Sequence, residues 1–309
     1  MTDSSETTIA TAATVRAQPM LKGYLRSDGR KGIRNVVAVA YLVECAHHVA
    51  REIVTRCCEP AVHLIGFPGC YANSYAEKML EQLTTHPNVG AVLFVSLGCE
   101  SMNKHYLVDV ARASGRPVDV LTIQENGTRN AIQSGVDWVC DARKQLAAQQ
   151  RVPMALSELV IGTICGGSDG TGDNAEIGEL IAGGAHVILS TTGRGSVMGS
   201  AISPVVKVCA NPASCRNLPD DMNVDAGRIL DGRGTLEELG REAFDQTVAV
   251  AQGAASKSET LGQQEFILSY KTLEPVGPAC LPSSAAPRHR VVGIATIARP
   301  MLAARNDAT

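Results

Sequence analysis

The apolar positions along the chain fall into short, continuous, β-branched runs separated by longer stretches in which apolar and polar residues alternate with helical spacing. "VVAVAYLV" precedes an amphipathic stretch over 44–56, "AVHLIGF" one over 71–84, "AVLFVSL" one over 101–114, and "PVDVLTI" one over 127–148. Unbroken apolar runs flanked by helices are the mark of a parallel sheet covered on both faces. Residues 21–150 are therefore expected to form a doubly wound parallel α/β domain. A joint is expected at "AAQQRVPMALSE" (147–158), followed by a second, less regular α/β domain over 151–282. That domain has strands at "LVIGTI" and "HVILSTT", the segment "PVVKVCANP", and a helix over 234–252. Residues 1–20 lack an apolar period and read as a mobile amino terminus, and 283–309 as a tail.

Composition narrows the partners. The 309 residues carry a formal net charge of -3, so no basic face argues for nucleic acid or an anionic membrane surface, and a small molecule is the better expectation. No apolar run approaches the roughly 20 residues of a membrane helix. The first twenty residues lack the basic and apolar regions of a signal peptide. Ten cysteines without any CxxC pair support neither a zinc ribbon nor a dithiol redox site, and free thiols in a reducing cytoplasm are expected.

In open α/β sheets ligands bind beyond the carboxyl ends of the strands. Four such ends are chemically unusual: "PGC" with Cys70, "GCES" with Cys99 and Glu100, "CGGSDGTGD" with Cys165, Ser168 and Asp169, and "GRGS" with Arg194. Each has a plain structural account. Cysteine is a small buried apolar residue, the glycines permit tight turns, and Ser101 and Asp169 can cap helices, the favoured role for Ser101. Arg194, between two glycines, suits a carboxylate ligand better than a packing role. His47 and His48 lie about 100° apart on a helix and read as surface or structural residues. "SDGRKGIRN" is either a solvated turn or an anion-binding loop.

Five longer stretches, "GYLRSDGRKGIRN", "GFPGCYANSYAEKMLEQLTTHPNVGAVLFVSLGCE", "CGGSDGT", "TTGRGSVMGSAISPVVKVCANP" and "DDMNVDAGRIL", resemble the catalytic region of the altronate and galactarate dehydratase family. That family also includes the large subunit of sulfolactate sulfo-lyase. The resemblance runs from about residue 21 to 281. It implies a metal-dependent lyase that eliminates water from a sugar acid to give a 2-keto-3-deoxy acid, with Fe2+ or Mn2+ as cofactor; elimination of sulfite from sulfolactate, or acid binding without turnover, are the alternatives. Such an elimination needs a base for the proton α to the carboxylate, a positive group to stabilise the enediolate, and an acid for the leaving group. Carried over residue by residue, the resemblance implies catalytic roles for Cys99, Glu100 and Asp169, and substrate contacts for Arg34, Asn35, Ser168, Thr192 and Arg194. Its implied metal ligands are Cys45, Cys70, Cys99, Glu100 and Cys165, with Cys99 alternatively packing beneath the site. After "CGGSDGT", near 171–175, the chain lacks several dozen residues of the family pattern. The small amino-terminal domain of relatives is also missing, so a small partner subunit is expected, with a homo-oligomer as a further expectation.

Overall fold

The computed structural model describes residues 19–166 and 173–270. The chain opens with an antiparallel hairpin, β1 (Leu21–Leu25) and β2 (Lys31–Gly32), and then runs β3 (Val36–Tyr41), α1 (Glu44–Cys57), β4 (Val62–Gly66), α2 (Ser74–Thr84), β5 (Val89–Ser96), α3 (Lys104–Ala113), β6 (Val118–Thr122), α4 (Ile123–Asn126) and α5 (Thr128–Ala147). The second half holds β7 (Val152–Met154), β8 (Ile161–Gly166), α6 (Asp173–Ala182), β9 (Val187–Thr192), β10 (Val205–Cys209), α7 (Pro212–Asn217), β11 (Val224–Asp225), α8 (Leu236–Gln252) and α9 (Lys257–Thr260).

Two parallel four-stranded sheets dominate, with strand orders β4-β3-β5-β6 and β11-β10-β9-β8. The unbroken apolar runs are explained by their two buried faces. In β3, Val36, Ala38 and Ala40 face one core while Val37 and Val39 face another; in β5, Val92 and Phe94 alternate in the same way with Ala91, Leu93 and Val95. Helices α1 and α5 cover the second of these faces through Val49, Ile53, Ile132 and Val139. The first face packs on α2 and α3, and the same core continues into the second half through Ile177, Ile181, Ile188 and Val205. The two halves thus share a continuous apolar core.

The expected joint at 147–158 is more structured than a linker. Its strand β7 pairs antiparallel with β1, and Leu21 and Ile33 join Val187, Val206 and Val250 in a third core on the far face of the second sheet. The amino-terminal hairpin therefore packs with the second half, although sequence position assigns it to the first. A two-residue strand and a three-residue strand are too short to show a period of two, which is why the reading missed them.

Buried polar groups fix the halves to each other. Asn88 is fully buried; its Oδ1 accepts from Ile33 N–H (2.9 Å), and its amide donates toward His186 O (3.0 Å), Ile202 O (3.3 Å) and Ser203 Oγ (3.1 Å). His63 Nδ1 accepts from Ile202 N–H (2.8 Å), and Nε2 faces Pro60 O (3.0 Å), an arrangement for the neutral ring. Burial pushes its pKa down to about 4. Ile202 itself has φ 73°, a costly conformation for a β-branched residue that this contact helps to hold. Gly32 is required by close approach, since a Cβ there would lie 2.0 Å from Pro87 O.

The charges of the basic turn "SDGRKGIRN" are paired within the protein. Asp28 accepts from Arg30 (2.7 Å), Lys31 pairs with Glu158 (2.7 Å), and Arg34 pairs with Glu259 (2.7 Å). Residues 1–18 and 271–309, which include the expected tail, lie outside the described residues, as does part of the loop expected to be shortened.

Candidate active site

The order of the first sheet creates a crevice. From β3 the chain moves outward to β4, then crosses back to place β5 on the other side of β3, so the connections leaving β3 and β5 diverge. Such a reversal is where α/β sheets bind ligands. The loops after β3, β4 and β5 are tied together there. Glu44 N–H donates to Pro68 O (3.0 Å), Ser101 N–H to Cys70 O (2.9 Å), and Ala72 N–H to Ser101 Oγ (2.9 Å). Ser101 thus braces two loops and does not cap α3. Asn103 is the cap, accepting from Tyr106 N–H (3.1 Å), and the helix begins three residues later than its sequence pattern placed it.

Glu100 sits at the end of the fully buried strand β5, after a turn through Gly98 at φ 122°. A side chain on Gly98 would meet Gln124 Oε1 at 2.6 Å, so both conformation and space call for glycine. Gly98 N–H donates to Glu100 Oε2 (2.8 Å). Glu100 Oε1 is buried without a hydrogen-bond partner among the described residues, as is Ser96 Oγ. Burial alone would raise the carboxyl pKa, but the Ser96 hydroxyl dipole, the N–H groups of Gly98 and Glu100, and the Lys104 charge together outweigh it and hold the pKa below the usual range. Lys104 Nζ is held by Thr122 Oγ1 (3.2 Å). Glu100, Lys104 and His105 line a cavity of about 350 Å3 with Gly98, Ser101, Met102 and Asn103.

This arrangement offers an ionised carboxylate with one oxygen unengaged, beside a lysine, a histidine and the amino-terminal turn of a ten-residue helix. A ligand carboxylate is favoured by the positive groups, and its charge would raise the pKa of Glu100 toward that of a useful base. Sequence reading found Glu100 and missed Lys104, His105 and Thr122. The available signal was Asn103, a strong cap residue, directly before "KH".

The other expected site residues are distributed differently. Arg34 and Asn35 lie at the amino-terminal end of β3, opposite the crevice. Arg34 spends all five N–H groups on Glu259, Ile33 O, Val250 O and Ala254 O, so it serves as a structural clamp and has none left for a substrate. Asn35 bridges Arg26 (3.0 Å), Leu146 O (3.2 Å) and Gln149 (3.1 Å). Thr192 Oγ1 accepts from the N–H groups of Arg194 (3.2 Å) and Gly195 (3.1 Å), which shapes the loop after β9. Arg194 is exposed, with no side-chain hydrogen bond or ion pair among the described residues. Ser168 and Asp169 lie outside the described residues.

The expected metal ligands are not gathered. Cys45, Cys70, Cys99 and Cys165 are free and exposed, so Cys99 does not pack beneath the site either. Among the described residues no three His, Cys, Asp or Glu side chains converge on a point that could hold a metal ion. Glu100 Oε1 would suit Fe2+ or Mn2+ as one donor, but one oxygen is not a coordination shell, and the described residues alone do not fit the ion. The expected set of Cys45, Cys70, Cys99, Glu100 and Cys165 therefore rests on the family resemblance, and Cys165 borders residues 167–172, which lie outside the described residues.

Residues 23–147 match the second domain of the D-galactarate dehydratase/altronate hydrolase family, and residues 171–273 match the carboxyl-terminal domain of D-galactarate/altronate dehydratases. The chain belongs to the galactarate/altronate dehydratase family. Within it, the chain is 22% identical to the (2R)-sulfolactate sulfo-lyase subunit beta of Chromohalobacter salexigens, covering 80% of this chain and 96% of that subunit. The alignment runs over 380 positions, more than the 309 residues available, so the relative contains segments that this chain lacks. The altronate dehydratases of Escherichia coli (29% identical) and Bacillus subtilis (26%) each align with 48% of this chain and 32% of their own length. The chain therefore spans about a third of those two dehydratases. Glu100 and its loop fall inside the matched second domain. No helix among the described residues is long and apolar enough to cross a membrane.

Proposed function

We propose that this dehydratase-family chain is a hydro-lyase acting on a sugar acid such as altronate or galactarate, with Glu100 removing the proton α to the substrate carboxylate. The observation that carries this reading is the half-buried Glu100 carboxylate at the sheet's switch point, with Oε2 fixed by Gly98 N–H and Oε1 without a partner among the described residues. Lys104, His105 and the start of α3 would hold the substrate carboxylate, and either basic side chain could pass a proton to the departing hydroxyl. The product would be a 2-keto-3-deoxy acid. Arg194 is kept as a second carboxylate or hydroxyl contact, because its guanidinium is exposed and has no partner among the described residues. Fe2+ or Mn2+ remains part of the proposal from family resemblance.

A sulfo-lyase is the second reading, favoured by the alignment over 96% of a sulfo-lyase subunit. That relative's designation as a subunit also motivates a small partner chain, and a cytoplasmic location belongs to the same proposal.

The test is an anaerobic assay of the protein supplied with Fe2+ or Mn2+ against altronate, galactarate and sulfolactate, following 2-keto acid or sulfite. Keto acid that disappears in Glu100→Gln supports the first reading, and sulfite supports the second. Substrate-dependent stabilisation of a folded, metal-supplied protein without any product would identify an acid-binding relative and sink both.

A further inference from the structure

At the amino-terminal end of the first sheet, about 20 Å along β3 from the crevice, lies a second cavity of about 270 Å3. Its walls include Tyr24, Arg34, Asn35, Arg143, Arg151 and Gly253. Of its three arginines only Arg34 has a carboxylate partner among the described residues, Glu259. Arg143 donates from Nη1 to Asn35 O (3.2 Å), and its Nε is buried with no hydrogen-bond partner among the described residues. Arg151 spends Nη1 on Gln252 O (2.9 Å) and Nη2 on the carbonyls of Lys22 and Ala251, and its Nε is likewise buried and unpartnered. Tyr24 has Arg26 within 6.0 Å and Arg151 within 5.7 Å of its ring centre, which concentrates further positive charge at the wall.

Guanidinium groups gathered around a cavity, two of them without a carboxylate partner among the described residues and with Nη hydrogens to spare, suit an oxyanion. The helix end that would oppose an anion is partly blunted, because Asn35 Nδ2 donates to Leu146 O (3.2 Å). Gly253 lets Arg151 reach its place, since a Cβ there would lie 2.8 Å from Nη1. We propose that this cavity is a second ligand site, distinct from the Glu100 crevice, for a small polyanion bearing phosphate or carboxylate groups. Its walls come from α5 on one side and from Arg151 and the end of α8 on the other, so a bound anion would bridge the first domain to the second.

Calorimetric titration of the full chain with inorganic phosphate and separately with citrate, each against sodium chloride of equal ionic strength, tests this. Saturable binding of one anion per chain is expected, weakened at least about tenfold by Arg143→Gln and kept by Glu100→Gln. Binding of phosphate alone or citrate alone would name the oxyanion. Arg151→Gln serves as a second variant should Arg143→Gln not fold. Absence of saturable binding, or binding unchanged in a folded variant of either arginine, would overturn the proposal and leave a cavity satisfied by water.

Discussion

The two parallel sheets are built from the same kind of strand and differ in order. The first, β4-β3-β5-β6, reverses direction between β3 and β5; the second, β11-β10-β9-β8, runs consecutively from edge to edge. Reversal sends neighbouring connections to opposite faces and opens a crevice, whereas consecutive order sends them all the same way. The chemistry follows this difference. At the first sheet Glu100 keeps an oxygen unengaged among loops tied together. At the second, Thr192 is consumed in shaping its own turn. A reactive residue type at a strand end therefore means little until the strand order is known.

The sharpest way to break this comparison is Glu100→Gln. If the crevice is the active centre, kcat should fall by about 100- to 10,000-fold while the thermal midpoint stays close to that of the parent protein. Unchanged turnover would remove the switch-point crevice from the chemistry. Arg34→Ala should do the opposite. It strands Glu259 and empties a five-bond clamp with 16% and 30% side-chain exposure, so about 3 kcal/mol of stability should be lost in urea unfolding, with little effect on KM once folded.

Acid should weaken the join between the halves before either sheet. His63 and His186 are held neutral with pKa values pushed down to about 4 by burial, and burial together with the neighbouring His186 pushes His86 down as well. An unfolded chain takes up these protons from about pH 6.5 downward, and the folded chain does not until about pH 4. Stability therefore falls as pH drops through that window, by about 3 kcal/mol each for His63 and His186. Urea midpoints at descending pH should show the loss, and its absence would mean that these rings are already charged or solvated. Smaller again is Ser101→Ala, which removes one acceptor bridging two loops and should cost about 1 kcal/mol in the same titration. Cys99→Ser should change stability by less than about 0.5 kcal/mol, because the thiol is exposed and unpaired. A larger loss there would restore the buried role that the structure denies it.

Much of the fold was legible because its strands are buried on both faces. The runs beginning at Val36, Val62 and Val89, and the helix ending at Ala147, were located to within a few residues by apolar continuity and helical spacing. The hairpin β1–β2, strand β7 and helix α6 were not, being too short or too uniformly small for a period to show. Of the candidate site, Glu100 and the neighbouring loops were legible from the abrupt end of "AVLFVSL". Lys104 and His105 were not, since a basic pair at a helix start looks like any solvated face.

By itself the sequence determined the class of this protein: alternating buried strands and amphipathic helices, and motifs that place it in its family. Those are local or additive properties, set by which residues must leave water and at what spacing. Only tertiary structure decided that Arg34 clamps Glu259, that the amino-terminal hairpin packs on the second core, and that Glu100 stands apart from Cys45, Cys70 and Cys165 in bonding. Partner choice depends on strand order and on contacts between residues more than a hundred positions apart, and no local pattern encodes that geometry.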